Sequence, residues 1–347
     1  MHKMQEIIFI TGAGRCGTKL IHSLLDGNPK LNVVPGEVTN IFQDSLINNG
    51  LSNKVHKQSS FYLLKNFENE LKVNRFPNYK KKITKIKNNL SKLFYKKSHI
   101  FFNEFLEIVI KSIFHNNYKT VINIQNENII GLLNTVPNSK IIHMLRNPLT
   151  QINARYLFRY KNPMNFDGQE FSLSFFRNYN SFKNAFLAKD NKRVFILKME
   201  DLNVNTEYYM KKIFKFLNIK FDGINLFTTR YRKKFDSVNY SGKPLNKLKN
   251  FNKFGVRKLN FDISCLLQND LYIISKIKFV NKFYRIKKYN YAANNFISFY
   301  LRHLGFIGNK RKISPNIYRL IKLSIYSIYL YFLDRNLKKT FLNHQNI

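Results

Sequence analysis

The chain contains no tryptophan, two cysteines and only 20 acidic residues among 347. Each shortage excludes something. Cys16 and Cys265 are too few for a disulfide scaffold or a cysteine-rich zinc site. No uncharged apolar run reaches the roughly 18–20 residues that cross a bilayer. The segment Leu323 to Leu333, preceded by Arg319 and Lys322, reads as a packed C-terminal helix, with a helix lying on a membrane surface as the alternative. Residues 1–6 are short and polar and Ile7 already opens a strand-like run, so neither a signal peptide nor a transmembrane helix is expected, and the expected location is cytoplasmic, with membrane-peripheral contact. Set against those acids are 59 lysines and arginines, a net charge of +39. The missing tryptophan beside many Lys, Asn, Ile, Phe and Tyr matches a compositional bias of the source genome. Such a bias supplies lysine but not the shortage of acids. A 44% hydrophobic and 15% aromatic content excludes a disordered basic tail. A positive field of this size draws anions: nucleic acid, acidic glycan, anionic lipid or a phosphorylated cofactor.

What is present alternates between strand and helix patterns. Ile7 to Ile10 suits a buried parallel strand. Leu20, Ile21, Leu24 and Leu25 repeat at helical spacing until Gly27-Asn28-Pro29. Leu31 to Val34, Val121 to Ile124, Lys140 to Leu145 and Arg193 to Leu197 read as further strands. Phe101 to Phe114, Ile129 to Leu133 and Thr206 to Leu217 read as helices. The stretch Leu71 to Asn103 has many lysines, no acid and interleaved apolar residues, which indicates helices with a cationic face. This order gives an α/β fold of three layers, a central parallel sheet flanked by helices. We expect an α/β domain over residues 1–250, with a helical insertion at about 42–118. A mostly helical, basic C-terminal extension over 251–347 packs on the same domain. It has no acid between Asp270 and Asp334, and Gly305 to Pro315 connects it to a last helix.

Between the first strand and the first helix lies Gly12-Ala13-Gly14-Arg15-Cys16-Gly17-Thr18. A glycine-rich turn at a helix N-terminus presents backbone N–H groups and a positive dipole end to a phosphate. Arg15 and Lys19 add charge, and the Thr18 hydroxyl a hydrogen bond. A nucleoside-triphosphatase loop places Lys directly after the last Gly and a hydroxyl next, to hold Mg²⁺. Here the order is Gly17-Thr18-Lys19, with Arg15 as the leading cation. That order does not suit a metal-assisted hydrolase.

The stretch IIFITGAGRCGTKLIHSLLDGNPKLNVVPGE resembles the 5′-phosphosulfate loop of sulfotransferases that use 3′-phosphoadenosine 5′-phosphosulfate (PAPS). It is closest to the carbohydrate and protein-tyrosine members of that family. Arg15, Gly17, Thr18, Leu20, Leu25, Asp26 and Pro29 fall into the family's frame; Cys16 and Lys19 replace its usual hydroxyl residues. VPNSKIIHMLRNPLTQINARYLF is similar to the family's 3′-phosphate segment, with Arg146 in the place of its phosphate-binding arginine. Ala154 stands where the family has a serine on that phosphate, leaving Asn153 or Arg155 as substitutes. RVFILKMEDLNVNTEYYMKKIFKFLNIKFD is similar to a downstream strand, E-D-L and helix; Glu200 and Asp201 there read as structural, at a helix start. The three blocks stand in family order from Ile7 to Asp222.

The resemblance implies the fold of that family, a P-loop-type α/β fold, and sulfuryl transfer from PAPS to a hydroxyl or amine. It implies no metal. Gly14, Arg15, Cys16, Gly17, Thr18, Lys19, Arg146 and the Ala154 position form the implied cofactor site, with Ser241 and Lys243 of YSGKPLNKL as candidates for adenosine or 3′-phosphate contacts. Arg15 is expected to stabilise charge on the leaving oxygen. Glu37, in the loop after the second strand, is the leading base. Lys119-Thr120 resembles the family's K-T-P, which makes Lys119 a candidate catalytic cation. His56, His99 and His115 lie where other members place a catalytic histidine, and nothing selects among them. The acceptor is expected to be a glycan, glycolipid or other biomolecule, acidic if the cation excess serves it, and no nucleic-acid motif is present. A P-loop kinase or NTPase and a catalytically degenerate basic binding protein are the competing readings.

Overall fold

A computed structural model describes residues 5–38, 54–124, 126–160, 169–231, 233–234 and 279–285, without the side chains of 156–160, 169–176 and 233–234. In chain order the elements are β1 (Ile7–Gly12), α1 (Thr18–Leu25), β2 (Leu31–Val33), β3 (Lys54–His56), α2 (Lys57–Val73), α3 (Tyr79–Lys96), β4 (His99–Phe101), α4 (Phe102–Ile113), β5 (Lys119–Asn123), α5 (Ile129–Thr135), β6 (Ser139–Leu145), α6 (Pro148–Tyr160), α7 (Gln169–Ala188), β7 (Val194–Lys198), α8 (Met199–Val204), α9 (Thr206–Leu217), β8 (Thr229–Arg230) and β9 (Lys233–Lys234). The chain divides into two compact units, Met1–Leu145 with Leu187–Leu259, and Arg146–Phe186 with Asn260–Ile347.

The first unit is built on a five-stranded sheet in the order β2-β5-β1-β6-β7, every pair parallel. Its central strand, β1, is buried on both faces, as its unbroken apolar run Ile7 to Ile10 requires. Side-chain alternation splits that run between two cores. Ile7 and Phe9 join Phe67, Ile86, Phe105 and Ile122 on the side of α2 to α5. Ile8 and Ile10 join Leu20, Ile21, Leu24, Val121 and Phe214 on the side of α1 and α9. The sheet therefore has helices on both faces, the three layers expected. Asn225 holds the end of α1, donating to Leu24 O at 2.8 Å and accepting from Asn28 Nδ2 at 3.2 Å.

The insertion between β2 and β5 is helical, with the short antiparallel pair β3–β4 beside it. Its lysine-rich stretch is α3. Ile83, Ile86 and Leu90 are the buried positions of α3, and seven of its other residues are lysines. The periodicity wins over the charge because one apolar stripe suffices to dock a helix. Within the second unit, α7 packs Tyr179, Phe182 and Phe186 against Phe279, Phe283 and Tyr284. Most of the expected C-terminal extension, including Leu323 to Leu333, lies outside the described residues. No described helix is long and apolar enough to cross a membrane.

Candidate functional site

Strand β1 delivers the chain to the C-terminal edge of the sheet, where the glycine loop turns into α1. Cys16 N–H donates to Ala13 O at 3.2 Å, closing the turn. Arg15 takes a left-handed φ of 72°, unusual for a residue with a Cβ and a mark of a loop held in a set shape. Gly17 follows at φ 99° and caps α1; a Cβ there would collide with Met199 Sδ at the start of α8. Position 17 therefore stays glycine to accommodate Met199 at a left-handed φ, and the positive end of the α1 dipole points at the loop. The residues present fit a phosphate group.

Cys16 departs from expectation. Its side chain is buried in the α1-side core, not offered to the loop's mouth. Burial pushes its thiol far up from the ordinary range, with the carboxylates of Glu37 and Glu127 adding to the shift. It stays a neutral thiol packed in that core. The reason is packing: the tight turn at Ala13 directs the small side chain inward.

The loop is joined to a carboxylate. Lys19 Nζ, on the first turn of α1, lies 3.4 Å from Glu37 Oε2. The other oxygen, Glu37 Oε1, is buried with no hydrogen-bond partner among the described residues. The loop that carries Glu37 is fixed from three sides. Val38 N–H donates to Asn123 O at 2.9 Å, at the end of β5. His22 Nε2 lies 2.9 Å from Val34 O. Glu37 N–H donates to Glu70 Oε2 of α2 at 3.2 Å. Gly36, at φ 82°, leaves room for that contact: a Cβ would collide with Glu70 Oε2 and come within 2.5 Å of Asn74 Nδ2. Asn74 in turn donates to Glu70 Oε2 at 3.1 Å and accepts from Arg230 Nη2 at 2.5 Å. Burial raises the Glu70 carboxyl above its ordinary value, against the hydrogen bonds and the Lys19 charge. Burial lowers His22, so it donates from Nε2 as the neutral imidazole.

Residues 7–223, more than half of the chain, match the sequence profile of the sulfotransferase family. The chain belongs to that family. The sulfotransferase domain of the Synechococcus PCC 7002 olefin synthase is similar in fold, with a TM-score of 0.53 at 17% identity, over 83% of this chain and 98% of that domain. A sulfotransferase domain from the curacin biosynthetic pathway overlaps 82% of this chain and 94% of its own length, at 16% identity and a TM-score of 0.46. No curated protein matches.

Against that family frame, the loop residues from Gly14 to Lys19 and Glu37 come together, and Lys119 does not. Lys119 opens β5 at the opposite edge of the sheet, where it meets Glu6 at 3.1 Å and donates to Leu217 O at 2.5 Å. Its assignment as a catalytic cation is corrected: pairing of Ile7 with Thr120 fixes which end of β5 it occupies. Arg146 directly follows β6 and belongs to the second unit, where its Nε donates to Thr150 Oγ1 at 3.3 Å. Ala154 is half-buried on α6. Ser241 and Lys243 lie outside the described residues. His56 and His99 face each other across β3–β4, with ring centroids 6.0 Å apart, and His115 is exposed before β5. Glu200 and Asp201 occupy the first turn of α8. Sequence reasoning missed Glu70, Glu127 and Asn123. Glu127 was findable, because it follows a strand end in a polar loop as Glu37 does. No group of three metal-binding side chains exists among the described residues.

Proposed function

We propose that this sulfotransferase takes its sulfuryl group from PAPS and transfers it to a hydroxyl or amine of an acidic glycan or glycolipid. The observation that carries the reading is the join between loop and carboxylate. A phosphate-type loop that lacks the Mg²⁺-holding Lys-Ser/Thr order is tied through Lys19 to a carboxylate with one buried oxygen left over. PAPS supplies a sulfuryl group already activated on the bridging oxygen of its 5′-phosphate. The loop amides and Arg15 hold the 5′ end and favour the charge that develops there. Arg146 is assigned the 3′-phosphate on its motif. Glu37 Oε1 takes the acceptor's proton, while Lys19 holds Oε2 and keeps the carboxylate aimed.

The acceptor class is supported by α3. Lys81, Lys85, Lys92 and Lys96 follow one another at i, i+4, i+11 and i+15 on its outer face, each exposed and none in an ion pair among the described residues. That stripe runs about 22 Å along the helix. It starts beyond the turn whose Asn74 touches the Glu37 loop. Because α3 packs its apolar side on α2 and α4, it offers a bilayer charge alone and no apolar face. An extended polyanion is the better match.

Calorimetric binding of adenosine 3′,5′-bisphosphate and of ATP, each with and without Mg²⁺, tests the donor. The expected result is metal-independent binding of the bisphosphate, weakened by Arg15→Ala and by Arg146→Ala. ATP binding that needs Mg²⁺, with no bisphosphate binding, would sink the reading.

A further inference from the structure

One buried group near the site has nothing to bond to. Asn123, the last residue of β5, is fully buried, and neither its Oδ1 nor its Nδ2 has a hydrogen-bond partner among the described residues. A buried amide with both ends unmet costs stability, and such groups persist in native folds where a ligand completes them. The strand pattern makes it stand out further. Val121, two residues earlier on the same face, packs in the apolar core beneath α1 with Ile10, Cys16 and Leu20. An apolar residue at 123 would continue that core.

Its position explains the exception. On one side, Asn123 pairs in register with Ile10, two residues before the glycine loop begins. On the other, its backbone oxygen accepts from Val38 N–H at 2.9 Å, next to Glu37. The residue thus stands in the sheet between the strand that delivers the phosphate loop and the loop that delivers the base. All three lie at the C-terminal edge.

We propose that Asn123 is a catalytic residue whose amide spans the two reacting groups. Nδ2–H donates to an oxygen of the transferring sulfuryl group, and Oδ1 accepts from the acceptor's hydroxyl or amine. The inference rests on the sulfuryl-transfer reading above. In the step it serves, the acceptor's lone pair forms the new bond to sulfur and its proton passes to Glu37 Oε1. The bond from sulfur to the bridging oxygen breaks, and that electron pair leaves on the adenosine bisphosphate. One amide contacting both partners fixes their line of approach, which is most of what such a transfer asks of a protein.

The test needs no acceptor. Asn123→Val and Asn123→Ala are compared with the wild-type chain for calorimetric binding of PAPS and of adenosine 3′,5′-bisphosphate, which differ only by the sulfuryl group. Loss of a hydrogen bond to a charged group is expected to weaken PAPS binding about tenfold and leave the bisphosphate within about twofold. The melting temperature of free Asn123→Val is expected to rise, since an unmet amide is replaced by a strand-forming apolar residue. Equal loss for both nucleotides, or no loss for PAPS, overturns the proposal. So does a lower melting temperature or failure to fold in both variants, which would reveal a partner for the amide inside the fold. A wild-type chain that binds neither nucleotide overturns the donor reading itself, and this inference with it.

Discussion

Lys19 Nζ lies 3.4 Å from Glu37 Oε2, so a cation of the helix after the glycine loop and a carboxylate 18 positions later form one pair. The pair is partly exposed, so its attraction alone is worth little. Its value is direction: one oxygen of Glu37 is held and the other has no hydrogen-bond partner among the described residues.

Removing that oxygen's basicity separates binding from chemistry. Glu37→Gln is expected to lower sulfuryl transfer from radiolabelled PAPS to polygalacturonate about 10²–10⁴-fold, the usual contribution of a general base. Bisphosphate affinity should stay within about twofold. Wild-type turnover in this variant would remove Glu37 from the mechanism.

The bare backbone at position 17 has a partner that can be changed. Gly17→Ala places a Cβ against Met199 Sδ at a left-handed φ. It is expected to lose bisphosphate binding and about 1–3 kcal/mol of stability. Adding Met199→Ala should restore part of the stability, because it removes the collision and leaves the backbone strain. Additive losses in a double-mutant cycle, read by denaturant melts, would show that Met199 is not the obstacle.

Lys119 should behave as a structural residue. Lys119→Ala is expected to cost about 1–2 kcal/mol through its bonds to Glu6 and Leu217 O, with nucleotide affinities unchanged. Selective loss of PAPS binding would return it to the site.

Stability should depend on pH through His22. Its folded value is depressed by burial, so the unfolded chain binds the proton more readily. Its contribution is complete above the unfolded value of about 6.5 and is lost as pH falls toward the folded one. Glu70 acts in the opposite sense. Its raised carboxyl favours the fold below the ordinary glutamate value, and that advantage is lost as pH rises through the folded value. Thermal melts from pH 7 to 5 should therefore show a smaller acid-side loss in His22→Gln than in wild type. An unchanged slope would exclude His22 as the cause.

The cationic face of α3 predicts a salt-sensitive acceptor contact. Lys81→Glu with Lys92→Glu should weaken binding of polygalacturonate and steepen none of its salt dependence, while bisphosphate binding is untouched. Retention on phosphatidylserine vesicles that disappears in the same variant, with polygalacturonate unaffected, would assign the face to a membrane instead.

Much of this was legible in the residues. The buried run Ile7 to Ile10, the spacing of Leu20, Ile21, Leu24 and Leu25, and the glycines from Gly12 to Gly17 sufficed for the central strand, its first helix and the turn between them. These are local signals: strand and helix periods, and a turn that needs a glycine. Lys119-Thr120 misled because a short motif carries no register. The same two residues mean different things at the two ends of a strand.

The sequence alone therefore determined the α/β class, the glycine-rich turn between first strand and first helix, and the candidacy of Glu37, since each depends on residues close together in the chain. Only the tertiary structure decided which groups share the site. Parallel pairing of β2, β5 and β1 brings the Glu37 loop, Asn123 and the glycine loop to one edge and sends Lys119 to the other. Packing of α2 sets Glu70 against Gly36 across 34 positions of chain. Such contacts are fixed by how apolar faces stack, and no local pattern of residues encodes them.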